Sequence, residues 1–207
     1  MTKVLLYYAH PGHQVSRANK KLFEVASQVA GVTCVDLYAE YPRFDIDVNA
    51  EQARLLDHDI VVFQCPLFWY STPAIIKEWQ DLVLEQGFAY GHDGTALSGK
   101  VMLMALTAAG PEEAYSEQGY QHFDLRTFLS PLEQTAGLCK MRFAAPYVLF
   151  DALRETDVPG ERIAQHAQGY QMLLEALVAE RYDFDAVDKL PVVHGDELVN
   201  LVSAQDE

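Results

Sequence analysis

What most limits the fold of this chain is an alternation of short β-prone apolar runs with helical patterns. Residues 4–9 form an unbroken apolar run, as expected of a strand covered on both faces. Ser16 stands where it can cap a helix in which Leu22, Phe23, Ala26, Val29 and Ala30 recur at helical spacing. Residues 32–37 read as a second strand and 49–56 as a weak helix. A third strand over 59–65 is stopped by Pro66. Thr72 and Pro73 open a helix with a stripe of Ile75, Ile76, Trp79, Leu82 and Val83, because a proline in the first turn sacrifices no hydrogen bond. Residues 100–107 and 141–150 read as further strands, and 124–138 and 159–181 as further helices. Strand and helix thus alternate throughout, which predicts an α/β fold with one five-stranded parallel sheet and helices on both faces.

Composition narrows the function. The chain has 207 residues, half of them apolar, enough for one full core. Its formal charge of −15 disfavours a nucleic-acid binder, because such binding rests on clustered Lys and Arg. The N-terminal apolar run is too short for a signal peptide, and no run approaches the length of a membrane span. The three cysteines, Cys34, Cys65 and Cys139, form no CxxC pair. A reduced cytoplasmic protein is expected. Residues 183–207 carry seven carboxylates against Lys189, so they are expected as an acidic tail on a domain of residues 1–182, packed if at all through Leu190, Val192 and Val193.

Ligands of open parallel sheets bind beyond the carboxyl ends of the strands, which directs attention to loops 10–16, 66–72, 87–99 and 107–121. The first joins a strand to a helix N-terminus and adds His10, Ser16, Arg17 and Asn19 as donors, a setting suited to a phosphate. It contains neither GxGxxG nor GxxxxGK[ST]. The second places three aromatics, Phe68, Trp69 and Tyr70, at a strand end, where they can wall a planar ring or pack on a second subunit. The fourth offers Gly110, where backbone amides can approach a ligand, and Tyr115 as a hydroxyl donor. The seven histidines show no HxxxH or HExxH spacing, and no GxSxG elbow occurs. Cys65 reads as a buried small hydrophobe and Asp45 and Asp47 as solvated carboxylates.

Residues 66–79, running Pro-Leu-Phe-Trp-Tyr-Ser-Thr-Pro-Ala-Ile-Ile-Lys-Glu-Trp, make a specific pattern. With Ala9-His10-Pro11, Ser16 to Asn19, Gly87 to Gly91, Leu97 to Lys100 and Thr107 to Gly110, the chain resembles the flavodoxin-like NAD(P)H:quinone oxidoreductases over about residues 1–180. Residues 36–47 make it most similar to the bacterial ancillary proteins of glutathione-regulated potassium-efflux systems. The resemblance implies strand order 2-1-3-4-5 and a flavin, FMN rather than FAD. It implies phosphate binding by His10, Ser16, Arg17 and Asn19, and a ring lined by Pro66, Leu67, Phe68 and Trp69. Thr107, Ala109, Gly110 and Tyr115 would face the opposite ring edge, with Tyr115 and Gly110 as the catalytic pair. The residue matching the histidine that assists quinone reduction in the animal enzymes is Gln121, with His122 one position off. The implied activity is two-electron, ping-pong transfer from NAD(P)H to a quinone. The implied partners are a second copy, met through the Trp79 helix and loop 87–99, and an efflux antiporter. Two alternatives are a non-catalytic flavin-binding regulatory subunit and a flavodoxin-type electron carrier.

Overall fold

The computed structural model describes residues 1–154, 160–188, 190–195 and 198–202. The expected helix start at Pro159, and Lys189, Asp196, Glu197, Asp206 and Glu207 of the acidic segment, lie outside the described residues. The elements are β1 (Val4–Tyr8), α1 (Ala18–Ala26), β2 (Val32–Asp36), α2 (Leu37–Glu40), α3 (Val48–Asp57), β3 (Ile60–Pro66) and α4 (Ala74–Val83). They continue as β4 (Val101–Thr107), α5 (Leu125–Phe128), α6 (Ser130–Leu138), β5 (Arg142–Phe143), β6 (Tyr147–Leu149), α7 (Glu161–Val178), α8 (Phe184–Val187) and α9 (Leu198–Leu201).

The sheet is parallel in the order β2-β1-β3-β4-β5, with β6 also on β4. Order reverses between β1 and β3, which makes their carboxyl ends the topological switch point. Alternation along β1 explains its continuous hydrophobicity. Leu5 and Tyr7 enter a core with Leu55 of α3, Trp79 of α4 and Ala136 of α6. Val4, Leu6 and Tyr8 enter the other, with Leu22 of α1 and Tyr170 and Leu173 of α7.

Three expectations are corrected. The single strand over 141–150 is two, β5 and β6, because Pro146 has no N–H for the ladder. Met102 pairs with Phe143 and Ala105 with Tyr147, so three residues face two in a bulge. The helix over 124–138 likewise breaks at Leu129: Pro131 cannot donate, and the Ser130 hydroxyl takes the Thr127 carbonyl instead, at 2.8 Å. Leu82 is not part of the buried stripe of α4 but exposed, whereas Trp79 is fully inside.

Beyond α7 the chain turns back onto the second core. Val187, Val193 and Leu198 are buried. Val193 adds a parallel bridge to Tyr147, and Val202 an antiparallel one to Tyr182. Close approach of this return to α7 depends on Gly169, where a Cβ would lie 2.8 Å from the Gly195 Cα. Among the described residues, no helix is long and apolar enough to cross a membrane.

Candidate functional site

The three central strands end together. The Ala9 amide donates to the Gln64 carbonyl at 3.0 Å and the Leu67 amide to the Thr107 carbonyl at 2.9 Å, so the loops after β1, β3 and β4 meet at one edge. Between them lies a cavity of about 290 Å³. The first loop contributes His10, Ser16, Arg17 and Asn19 to its wall, the second Pro66, Leu67 and Phe68, and the third Thr107 and Ala109.

The N-terminus of α1 points here. Lys21 N–H to the Arg17 carbonyl is the first intrahelical bond, which leaves the amides of Ala18, Asn19 and Lys20 without a helical partner. Their partial positive charge suits an anion. Ser16 does not cap this helix: a 3-10 turn over His13–Val15 intervenes, and the N-cap residue is Arg17, with no side-chain capping bond. His10 is nearly buried. Its Nδ1 accepts the Gly12 amide at 3.0 Å, which leaves the proton on Nε2. Burial, then His13, lowers its pKa, so the ring is a neutral donor at pH 7.

Asn19 is the most informative residue. It is 2% exposed and lines the cavity. Its Nδ2 donates to Thr107 Oγ1 at 2.6 Å, and its carbonyl accepts from Gln64 Nε2 at 2.8 Å. Yet Asn19 Oδ1 and Gln64 Oε1, both buried, have no partner among the described residues. An unpaired buried acceptor costs roughly 1–3 kcal/mol, and that cost is relieved only when a donor arrives.

The aromatic loop is a tight reversal. Phe68 and Ser71 exchange both backbone bonds, at 2.9 and 3.0 Å, and the two central residues take positive φ, 49° at Trp69 and 64° at Tyr70. This is a type I′ turn built without glycine, a strained choice that held side chains and a local function together explain. The amides of Leu67, Phe68 and Ser71 are spent inside the protein, and Pro66 has none, so among the described residues no backbone carbonyl takes the amides of Trp69, Tyr70 and Thr72.

Three sequence-selected residues, Trp69, Gly110 and Tyr115, do not line the cavity. Trp69 is 92% exposed. Gly110 lies beneath Tyr115, and a Cβ there would meet Tyr120 Oη at 2.8 Å. Burial raises the Tyr115 pKa, so its hydroxyl keeps its proton and can donate at neutral pH. Tyr70 and Tyr115 both contact the Phe128 ring, at 5.0 and 6.2 Å, joining the second and fourth loops in one aromatic surface. Gln121 is fixed by its amide on the Ala114 carbonyl, and His122 is exposed.

Loop 87–99 contributes nothing to the cavity. It precedes β4 and is tied by Gly99 to the Lys140 carbonyl just before β5, at the amino ends of the strands. Conversely Ala152 and Leu153 were missed. They follow β6, and the carboxyl-end rule applied to the last strand would have found them. Cys65 is fully buried with its thiol pKa pushed up, so it is no nucleophile.

A parallel 2-1-3-4-5 sheet with an anion-suited helix terminus at the switch point defines a flavodoxin-like protein. Residues 2–174 match the family described as having a flavodoxin-like fold, and the chain belongs to it. It is 45% identical to the glutathione-regulated potassium-efflux system ancillary protein KefG of Cronobacter sakazakii, over 83% of this chain and 92% of that one. Among solved structures it is similar to general stress protein 14 of Treponema denticola in complex with FMN. There the TM-score is 0.80 at 32% identity, over 84% of this chain and 99% of the other. It is also similar to the NADPH-quinone reductase of P. pentosaceus, with a TM-score of 0.70 and 25% identity over 83% and 97% of the two chains.

Proposed function

We propose that this chain binds FMN in the cavity beside Asn19 and acts as an NAD(P)H:quinone oxidoreductase. It would serve in the cytoplasm as ancillary subunit of a potassium-efflux antiporter. The observation that carries the reading is the buried, unpartnered Asn19 Oδ1 at the helix terminus, a cradle missing one donor. FMN would supply that donor from its sugar-like chain, and when bound would take hydride from NAD(P)H and return two electrons to a quinone.

The residues then have separate tasks. The open amides of α1 and the Nε2 of His10 hold the phosphate, with Ser16 and Arg17 beside them. Pro66, Leu67 and Phe68 would wall one face of the ring against water, and the Trp69 and Tyr70 amides, which take no described backbone carbonyl, would be donors for its edge. Ala109, which lines the cavity, and Gly110 next to it would offer backbone amides to the opposite ring edge, where such donors would stabilise negative charge. Tyr115, which keeps its proton at neutral pH and is made a weaker acid by burial, would offer its hydroxyl as a hydrogen-bond donor to the quinone oxygen. The exposed aromatic surface of Trp69, Tyr70 and Phe123 suits a second copy that would complete the site.

Purified protein should be yellow, or turn yellow on adding FMN, and should consume NAD(P)H only when a quinone is present. A protein that stays colourless with added FMN overturns the cofactor assignment. A second reading rests on the relatives named for efflux systems: flavin binding with a regulatory role alone. Tight FMN binding without quinone-dependent NAD(P)H oxidation would select it.

A further inference from the structure

A second cavity, of about 510 Å³, shares no residue with the first. It opens at the end of β6, between the Glu112–Ala114 turn, α7 and the returning chain at His194 and Gly195. That last wall lies outside residues 2–174, so the family match does not account for this cavity.

Its two sides differ in charge. On one, Arg162 donates to the carbonyls of Phe150 and Asp151, at 3.0 and 3.1 Å, and forms no ion pair with a described carboxylate; the carboxylate of Asp151, which also lines the cavity, is paired with Arg154 at 3.5 Å. Next to it His166, 8% exposed, stacks on Tyr147 at 4.3 Å, and its buried Nε2 has no partner among the described residues. Burial, then His194, then Arg162 hold His166 neutral, its pKa lowered to about 3. On the other side stand Glu112, 3.1 Å from His194 Nε2, and the exposed Glu113. Val148, Leu149 and Phe150 add apolar residues to its lining.

A simple anion would satisfy Arg162 and His166 but meet the glutamates. A simple amine would do the reverse. We infer that this cavity binds a small zwitterion, an amino acid or short peptide, with its carboxylate at Arg162 and His166 and its ammonium at Glu113 and Glu112. The volume suits a ligand of that size.

Calorimetric titration of the purified protein tests this with four probes: glycine, glycylglycine, N-acetylglycine, which lacks the ammonium, and glycinamide, which lacks the carboxylate. At least one of the two zwitterions should bind saturably at one site per chain, and both capped analogues at least tenfold more weakly, about 1.4 kcal/mol. Arg162→Gln should abolish binding. Because Arg162 also ties two carbonyls, the exposed Glu113→Gln is the cleaner variant. It should weaken zwitterion binding about tenfold, leave N-acetylglycine unchanged, and leave FMN uptake untouched. Equal affinity for a capped analogue, no saturable binding of either zwitterion at millimolar concentration, or a Glu113→Gln variant that binds as the parent does would each overturn the inference.

Discussion

Two buried polar clusters stand on this one sheet, and they are finished differently. Under α3 and α4, the fully buried Glu51 accepts from Tyr7, from Tyr41 at 2.7 Å, from Trp79 Nε1 at 2.9 Å and from Arg54. Arg54 in turn reaches Glu40 at 2.8 Å. Every donor there has its acceptor. At the carboxyl ends of the strands, Asn19, Gln64 and Thr107 are just as deeply placed, but two acceptors are left over. A satisfied cluster fixes the packing of helices on a sheet. An unsatisfied one holds back interaction free energy that a ligand can collect.

The largest effect should come from breaking the satisfied cluster. Glu51→Ala strands two buried hydroxyls, an indole N–H and a guanidinium, and should cost roughly 3–5 kcal/mol in denaturant unfolding, since removal of one partner of a buried pair is that costly. A loss well under that would mean the cluster is less coupled than its bonds suggest.

A third buried group, His166, sharpens the same contrast through pH. Its folded pKa of about 3 lies below the ordinary 6.5, so the unfolded chain binds a proton that the folded chain does not. Stability from this group is therefore present above pH 6.5 and is lost as pH falls towards about 3. Within that window the slope is about 1.4 kcal/mol per pH unit for one proton. His166→Gln should reduce the slope of stability against pH by about one proton. An unchanged slope would contradict the assignment.

The unsatisfied cluster should behave oppositely to Glu51. Asn19→Ala should cost less in the unliganded protein and more in ligand affinity, weakening FMN about tenfold, or 1.4 kcal/mol. Fluorescence titration of FMN measures the second quantity and thermal unfolding the first. If stability falls and FMN affinity does not, Asn19 is structural, as Glu51 is.

The smallest effect belongs to the strained turn. Trp69→Gly relieves a positive φ at a side chain that is 92% exposed, so stability should rise by less than about 1 kcal/mol. The same change should weaken FMN. A variant that loses stability would show that Trp69 packs on something in solution, such as a second copy.

Much of this was legible in the residues. The run at 4–9 announced a doubly covered strand, and Pro66 its neighbour's end. Nine selected residues, from His10 to Ala109, do line one cavity. Other features were illegible for stated reasons. Pro146 splits a strand only because Tyr147 can re-pair one residue out of step, which depends on the neighbouring strand. The bond from Gln64 to the Asn19 carbonyl spans 45 residues of sequence, which no local pattern records.

The sequence by itself determined the layers, the order of elements and the loops that carry chemistry, because periodicity and turn residues act over a few positions. The tertiary structure alone decided which buried groups are satisfied. Glu51 reads locally as a helix-surface acid, yet Trp79, 28 residues away, donates to it. Val193 stands in a segment that reads as an acidic tail packed if at all through Leu190, Val192 and Val193, and it does bridge to Tyr147, but that His194 beside it lines a second cavity is decided only by the tertiary structure. Satisfaction of a buried polar group depends on partners brought together only by closing long stretches of chain, and no local pattern records which partners those will be.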